Sequence, residues 1–197
     1  MYPYVKRCID FILALIACTV AIPFLLIIAI MIKVDSKGPV FFVQDRVGKH
    51  KKIFKMYKFR TMYVDTPHDM PTHLLENPDA YITKVGRVLR KTSLDELPQV
   101  IHILKGEMSI VGPRPALWNQ SDLIELREKY GANDICPGLT GLAQVKGRDE
   151  LSIEDKAKYD GEYVKRCSLL FDFMLFMKTI GIVLRGDGIQ EGKTKIQ

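Results

Sequence analysis

The stretch FILALIACTVAIPFLLIIAIMI, Phe11–Ile32, decides the overall organisation of the chain, because it is apolar throughout except for Thr19. A helix over these residues would be roughly 33 Å long, close to the ~30 Å hydrocarbon thickness of a bilayer. A secretory signal has a shorter apolar core followed by a small-residue cleavage site, a pattern that this stretch does not show. A buried helix of this length would dominate so small a soluble domain. The stretch therefore predicts a membrane-anchoring helix.

Pro23 lies near the middle of this stretch. A proline removes one helical hydrogen bond and clashes with the preceding turn, so we expect the helix to kink or break there. Basic residues flank both ends of the apolar run: Lys6, Arg7, Lys33 and Lys37. Because positive charge marks the cytoplasmic end of a span, this symmetry gives no orientation for a crossing helix. It fits a re-entrant helix with both ends on the cytoplasmic face, and the residues alone leave a straight span as an equal alternative.

The composition favours an anionic partner. The 197 residues include 29 lysines and arginines against 23 acids, a formal charge of +6, which suits nucleic acid, a nucleotide or an acidic lipid surface without choosing among them. The four cysteines show no zinc or redox spacing, so we interpret them as free thiols in a reducing compartment. The four histidines form no metal pattern and are expected at the surface or at helix caps.

Beyond the apolar stretch, the sequence predicts a small α+β domain that is mostly helical with short strands. Residues 38–48 and 51–62 are predicted strands, the second with one cationic face. The loop predicted over 65–79 contains three prolines, and 136–148 is predicted to be a glycine-punctuated loop. Amphipathic helices are predicted over 95–106 and 116–131, and a polar helix over 152–167, whereas 82–93 is a short, basic amphipathic stretch.

A second apolar segment, residues 169–184, is interrupted by Asp172, Lys178 and Gly181. It is short for a span, so we expect a helix that packs on the core or lies in the membrane interface. The whole pattern predicts a re-entrant, proline-broken membrane helix over residues 1–36 and a catalytic domain on the cytoplasmic face over residues 37–197, with interfacial amphipathic helices.

Two adjacent carboxylates, Asp95 and Glu96, stand in the segment TSLDELPQ, Thr92–Gln99. Ser93 and Glu96 match a capping box, which would account for the acids by itself. The nearby cations point further: Arg87, Arg90, Lys91 and Arg114. A helix N-terminus beside arginines is an anion site, particularly for phosphate, and it would lower the pKa of a carboxylate there. With Mg²⁺ between acid and phosphate, the carboxylate can be a metal ligand, a nucleophile or both.

Several segments together resemble the signature blocks of the bacterial sugar transferases, the monotopic phosphoglycosyl transferases that begin glycan assembly. The blocks are GPVFFVQDRVG (38–48), YKFRTM (57–62), SLDELPQ (93–99), VGPRP (111–115) and PGLTG with GLAQVKGR (137–148). They follow one another in the expected order, and the resemblance extends from the N-terminal apolar segment to the C-terminal helices.

The resemblance implies an enzyme of the cytoplasmic face of the bacterial inner membrane, acting at the first membrane step of exopolysaccharide, lipopolysaccharide or glycoprotein assembly. It would move a sugar phosphate from a UDP-sugar to polyprenyl (undecaprenyl) phosphate and release UMP. Asp95 would attack the phosphate attached to the sugar and form an aspartyl-phosphosugar intermediate. Glu96 would support it as metal partner or acid–base group, with Mg²⁺ required. The implied helix is re-entrant, with its break at Pro23. Nucleic acid is not an expected partner, and a homodimer is left open.

Phosphoryl transfer depends mainly on positioning and charge stabilisation, so cations near the acids are candidate phosphate or nucleotide ligands. Arg90 and Arg114 come first, because a guanidinium binds phosphate oxygens bidentately. The remaining candidate phosphate or nucleotide ligands are Lys58, Arg60, Gln144 and Arg148. Gly138 and Gly141 are expected to let the backbone approach a ligand closely.

One departure from the resemblance is Cys136, which stands where many relatives would have an arginine. A second departure is Ile22, which precedes Pro23 at the position where a serine could satisfy a freed backbone group. Thr19 could instead bond to a carbonyl one turn earlier.

Three alternatives to the covalent transferase remain. The first is a transferase that works by direct, non-covalent transfer. The second is a membrane-tethered basic module that binds nucleic acid or lipid, with an aromatic–basic platform over 54–60, and the third is an inactive scaffold in a glycan assembly complex.

Overall fold

The computed structural model describes residues 2–67, 78–147 and 150–185. Within these ranges the protein is mostly helical with a few short strands, as predicted. The helices are α1 (Tyr2–Asp35), α2 (Lys84–Lys91), α3 (Val100–Lys105), α4 (Ser121–Lys129), α5 (Leu142–Lys146), α6 (Ile153–Arg166) and α7 (Leu169–Arg185). The strands are β1 (Phe41–Val47), β2 (Ile53–Phe59), β3 (Ser109–Val111) and β4 (Gly138–Thr140). A 3-10 helix, Leu94–Gln99, leads directly into α3.

The strands form two small sheets. β1 and β2 pair antiparallel, with Phe42 opposite Lys58 and Arg46 opposite Phe54, and β3 and β4 pair in parallel. The prediction of one cationic face on β2 is wrong. Since side chains alternate along a strand, Lys55 lies on the exposed face, whereas Lys58 shares the other face with buried Phe54 and Met56.

Helix α1 contacts the rest of the domain along one stripe. Its buried residues are Asp10, Ala14, Ile28 and Ile32, with Cys18, Ala21 and Leu25 half-buried between them. Their spacing of three or four residues places them on one helix face. The N-terminal half packs with β2 and α3, and the C-terminal half packs with Phe59 and Leu89. The other faces expose large apolar side chains over nearly the whole length of the helix.

Both ends of α1 are tied to the same domain. Near the N-terminus, the Asp10 carboxylate accepts hydrogen bonds from the Ser109 hydroxyl and the Ile110 amide. Near the C-terminus, Asp35 Oδ2 accepts a hydrogen bond from the Val85 amide at 3.0 Å. The Arg60 guanidinium donates to the carbonyls at the end of the helix. The helix, which is about 51 Å long at ~1.5 Å per residue, therefore lies along the domain.

The helix continues on both sides of Pro23, so the structure shows no complete break there, while a kink at Pro23 and a re-entrant course stay predictions. Proline removes a single helical hydrogen bond, and the remaining turns keep their pairing. Thr19 donates its hydroxyl to the Leu15 carbonyl at 2.9 Å, as predicted. By length and composition α1 is apolar enough to cross a membrane, with a mean hydropathy of 3.0 over its most apolar window.

The predicted loop over 136–148 contains β4 and α5 instead, and Gly138 and Gly141 pack against the protein's own backbone. A Cβ on Gly138 would lie 2.1 Å from the Gly112 amide nitrogen, and a Cβ on Gly141 would lie 2.1 Å from the Gly112 carbonyl oxygen. The amides of Gly112 and Gly138 donate to the carbonyls of Thr140 and Pro113. These glycines therefore allow the two loops to pack closely against each other, and their expected approach to a ligand stays a prediction.

The predicted helices form with adjusted ends. Gly106 ends α3 in the left-handed conformation, with φ 83°, as its position predicts. α4 begins only at Ser121, five residues later than predicted, because the preceding segment extends alongside β1. α7 turns Phe171, Asp172 and Leu175 inward and leaves most of its other apolar side chains exposed, which is consistent with both predicted locations.

A buried ion pair joins α4 to α6. Arg127 donates from Nε and Nη2 to Asp160 Oδ2 at 2.8 and 2.6 Å, and both side chains are buried. We expect Asp160→Ala to lower the free energy of unfolding by about 3–5 kcal/mol, since it leaves Arg127 buried without its counter-ion. Glu162→Ala, which removes an exposed pair with Arg166 on the same helix, should cost roughly 0.3–0.5 kcal/mol. Equal losses in denaturant unfolding of the two detergent-solubilised variants would contradict this difference.

Candidate active site

The segment that carries the two acids is a 3-10 helix whose start has no capping box. Ser93 adopts the left-handed conformation, with φ 55°, and its side chain makes no capping hydrogen bond. The Glu96 side chain therefore takes no part in capping the helix, and the Glu96 amide donates to the Ser93 carbonyl. The capping-box interpretation is wrong at this position, and the Glu96 carboxylate has other partners.

Glu96 is held by two cations from distant parts of the chain. Lys58 on β2 donates from Nζ to Glu96 Oε1 at 2.8 Å, and Arg114 donates from Nη2 to the same oxygen at 2.6 Å. The Glu96 side chain is 11% exposed and that of Lys58 is 17% exposed. Burial alone would raise the pKa of Glu96, but Arg114 and Lys58 hold it well below its usual range. Glu96 is therefore an ionised, clamped carboxylate.

Asp95 is in a different state. Among the described residues no hydrogen bond reaches its carboxylate, although Lys58, Glu96, Arg90 and Arg114 all lie close enough to act on its charge. Burial raises the pKa of Asp95 despite the opposing effect of Lys58, so the predicted lowering applies to Glu96 and not to Asp95. Burial likewise lowers the pKa of Lys58, and Glu96 opposes that effect. The site thus pairs one fixed carboxylate with one that is available to a ligand.

The structure brings Lys58, Arg90 and Arg114 around the two acids, as predicted, and places the other candidates elsewhere. The Arg60 guanidinium donates three hydrogen bonds to Ser36 and Lys37, where it stabilises the end of α1. Gln144 lies against Gly141 in the loop pair next to Arg114, with Nε2 donating to the Leu139 carbonyl. Arg148 lies outside the described residues.

Two features near the site are absent from the predicted set. Gln44 and Arg46 on β1 lie on the same face of the sheet as Lys58. Strict alternation of side chains along the predicted strand would have placed Gln44 and Arg46 together on one face. His102 is buried, contrary to its expected surface position. It accepts a hydrogen bond from the Tyr57 amide at Nε2 and contacts Glu107 through Nδ1 at 2.6 Å, and so joins β2 to α3.

Cys136, at the position where the resemblance would place an arginine, is half-buried. Its thiol donates to the Gly106 carbonyl at 3.5 Å, and burial raises its pKa. All four cysteines are free, as predicted. The aromatic–basic platform for nucleic acid is not present, because Phe54 and Phe59 are buried.

The acids suit a magnesium ion that is shared with a substrate. Within the described ranges no three acidic, histidine or cysteine side chains form a complete metal site. Mg²⁺, however, commonly binds one or two carboxylates together with substrate phosphates and water. Asp95 is the better ligand of the pair, because two cations occupy an oxygen of Glu96.

Comparison with known proteins identifies the family of the chain. The model of the family described as bacterial sugar transferase matches residues 1–186, and the chain belongs to this family. It is therefore a member of a family of transferases.

Its relatives fall into two length classes. The chain is 36% identical to the UDP-N-acetylgalactosamine-undecaprenyl-phosphate N-acetylgalactosaminephosphotransferase of Aeromonas hydrophila, over 95% of this chain and 45% of the relative. It is 41% identical to the UDP-glucose:undecaprenyl-phosphate glucose-1-phosphate transferase of Escherichia coli, over 89% of this chain and 39% of the relative. The exopolysaccharide production protein ExoY of Sinorhizobium fredii is 36% identical, over 93% and 87% respectively. The chain thus spans less than half of the longer relatives and most of the shorter one.

Proposed function

We propose that this protein transfers a sugar 1-phosphate from a UDP-sugar to polyprenyl phosphate and releases UMP. The single observation that carries the proposal is the contrast between the two acids: Glu96 is fixed by Lys58 and Arg114, whereas the Asp95 carboxylate is unbonded within the described residues and lies in a cationic surround. The names of the Aeromonas and Escherichia relatives, which specify undecaprenyl phosphate and UDP-sugars, support the same substrates.

The proposed reaction has two displacements at one phosphorus. An Asp95 oxygen bonds to the phosphorus that carries the sugar, while the bond from that phosphorus to the bridging oxygen breaks and UMP leaves with this oxygen. A phosphate oxygen of the polyprenyl carrier then attacks the same phosphorus, and the Asp95 carboxylate departs. Polyprenyl diphosphate sugar is the product, and the enzyme returns to its starting state.

The residues around Asp95 supply the charge that such a reaction needs. Arg90, Arg114 and Lys58 all lie close enough to Asp95 to act on its charge, and guanidinium and ammonium groups at such positions can bind the oxygens of the transferred phosphoryl group. Asp95, with Glu96 beside it, would hold Mg²⁺, which would neutralise phosphate charge and allow the carboxylate to approach phosphorus. Glu96 keeps Lys58 and Arg114 in place, because both donate to one of its oxygens.

The proposed location is the cytoplasmic face of a bacterial membrane, with α1 entering and leaving the bilayer on the same side. The packing of α1 supports this topology. A helix that crossed the bilayer could not have Asp10 and Asp35 bonded to one domain on one side of it. The exposed apolar faces of α1 and α7 would contact lipid, where apolar surface is most stable.

The topology predicts the labelling pattern of two single-cysteine variants. One keeps only the exposed Cys8, and the other carries Lys37→Cys as its only cysteine. We expect a membrane-impermeant maleimide to label both variants in inverted vesicles and neither in intact spheroplasts. Labelling of one position from each side would indicate a crossing helix and would contradict the same-side topology.

The proposed function is tested by measuring UMP release with polyprenyl phosphate across a panel of UDP-sugars. We expect release with one or a few UDP-sugars, loss of release with EDTA, and recovery on addition of Mg²⁺. A UDP-sugar without acceptor should give at most one UMP per protein. Absence of release across the whole panel, or undiminished release in EDTA, would count against the proposal.

A further inference from the structure

Arg46 occupies the junction between the hairpin that carries Lys58 and the segment that carries Arg114. In the β1–β2 register, Arg46 lies opposite Phe54, on the strand face that also holds Lys58. The segment after Arg114 pairs with the edge of β1 that does not face β2. The Val47 amide donates to the Ala116 carbonyl at 2.9 Å, and Arg46 forms an isolated β-bridge with Leu117. The two cations that clamp Glu96 therefore come from segments that meet at this residue.

The Arg46 guanidinium fixes the peptide next to Arg114. Its Nη1 donates to the Pro115 carbonyl at 2.9 Å, and its Nη2 donates to Gln44 Oε1 at 2.6 Å. Gln44 is itself buried, at 9% exposure, so the guanidinium is anchored from behind. This two-point arrangement depends on the planar fork of arginine, which a lysine ammonium cannot reproduce.

The loop around Arg114 has little freedom apart from its docking on β1. Pro113 and Pro115 have fixed φ angles, and a residue that precedes a proline is confined to extended conformations. The loop therefore behaves as a stiff unit whose placement follows from its contacts. The Gly138 amide holds the Pro113 carbonyl on one side of Arg114, and the Arg46 guanidinium holds the Pro115 carbonyl on the other side, one residue away from the Arg114 side chain. Arg46 is also near enough to Lys58 to disfavour its charged form.

We propose that Arg46 is a positioning residue for the transfer reaction, which acts by holding the Pro113–Pro115 loop so that Arg114 reaches Glu96 and the substrate phosphate. The inference rests on the proposed function. In this proposal Arg46 does not contact the substrate, and replacing Arg46 affects the reaction only while Arg114 is present.

A double-mutant cycle tests this dependence: UMP release is measured for the wild type, Arg46→Gln, Arg114→Gln and the double variant. We expect each single variant to lose roughly 10- to 100-fold in kcat with less than about threefold change in KM for the UDP-sugar, and the double variant to be within about threefold of Arg114→Gln. The matched control is Arg166→Gln, an exposed arginine on α6, which should stay within about twofold of wild type. Losses that multiply in the double variant would overturn the proposal.

The variant Arg46→Lys distinguishes the positioning role of Arg46 from the effect of its charge. It also replaces Arg46→Gln in the cycle if that variant does not fold. Lysine keeps the positive charge but not the two-point bond, so we expect it to remain at least about fivefold below wild type while Arg114 is present, and to have no further effect on Arg114→Gln. Full activity of Arg46→Lys would show that only the charge matters and would overturn the proposal. Failure of the wild type to release UMP would instead refute the proposed function.

Discussion

Replacing Asp95 by asparagine is expected to reduce UMP release by at least about 10³-fold, because the amide has the shape of the carboxylate but not its nucleophilic charge. The fold should be unaffected, since no hydrogen bond to the Asp95 carboxylate is present in the described part of the chain. A steady-state assay of UMP release, with thermal unfolding as the check on folding, measures the effect.

The matched control is Asp45→Asn, which makes the same change at an exposed acid on β1. It should retain nearly all activity. Turnover by Asp95→Asn within a few-fold of wild type would exclude Asp95 as the nucleophile and would favour direct transfer from UDP-sugar to the carrier.

Replacing Glu96 by glutamine is expected to cost about 10²-fold or more in kcat, for a different reason. The change removes the anion that Lys58 and Arg114 share, so both cations lose their orientation in a buried site. Without Glu96, burial should lower the pKa of Lys58 further, because Glu96 is its largest stabilising neighbour. We therefore also expect a lower melting temperature, which Asp95→Asn should not show.

Glu154→Gln, at an exposed acid in the first turn of α6, is the control for Glu96→Gln. It should change neither kcat nor the melting temperature appreciably. A Glu96→Gln variant with full activity and stability would contradict the role of Glu96 as the residue that orders the cations.

The two Ser-x-x-acid patterns in the chain show how far local sequence determines structure. Ser152 caps the start of α6, where the Asp155 amide donates to the Ser152 hydroxyl at 3.0 Å. Ser93 and Glu96 have the same spacing but no cap, because Lys58 and Arg114 bind the Glu96 carboxylate. A tertiary ion pair thus overrides a local preference worth about 1 kcal/mol. The override coincides with the candidate active site.

The identity of the clamping cations was only partly predictable. Lys58 and Arg60 have the same strand phase, yet Arg60 follows the last residue of β2 and turns towards the end of α1. Arg46 lies on a predicted strand, but its role does not follow from the sequence, because it depends on which loop packs beside that strand. Strand periodicity gives the face of a side chain, whereas the partner comes from tertiary packing.

The glycine-rich blocks illustrate a second limit. Their composition indicates that the backbone must approach something closely, and the structure shows that the neighbour is another loop: Gly112 meets Gly138 and Gly141. Sequence alone cannot distinguish a ligand from a second loop, because both require the absence of a Cβ. The consequence for the site is indirect, since this packing places the Pro113–Pro115 loop and therefore Arg114.

The most direct test of the account is to trap the sugar phosphate on the protein. The wild type is incubated with Mg²⁺ and a UDP-sugar that is labelled in the phosphate next to the sugar, without acceptor, and then quenched and mapped by peptide mass spectrometry. The account predicts label on Asp95, up to one per protein, which disappears when polyprenyl phosphate is added and is absent from Asp95→Asn. Rapid product formation with the acceptor but no label on Asp95 at any time before its addition would contradict it.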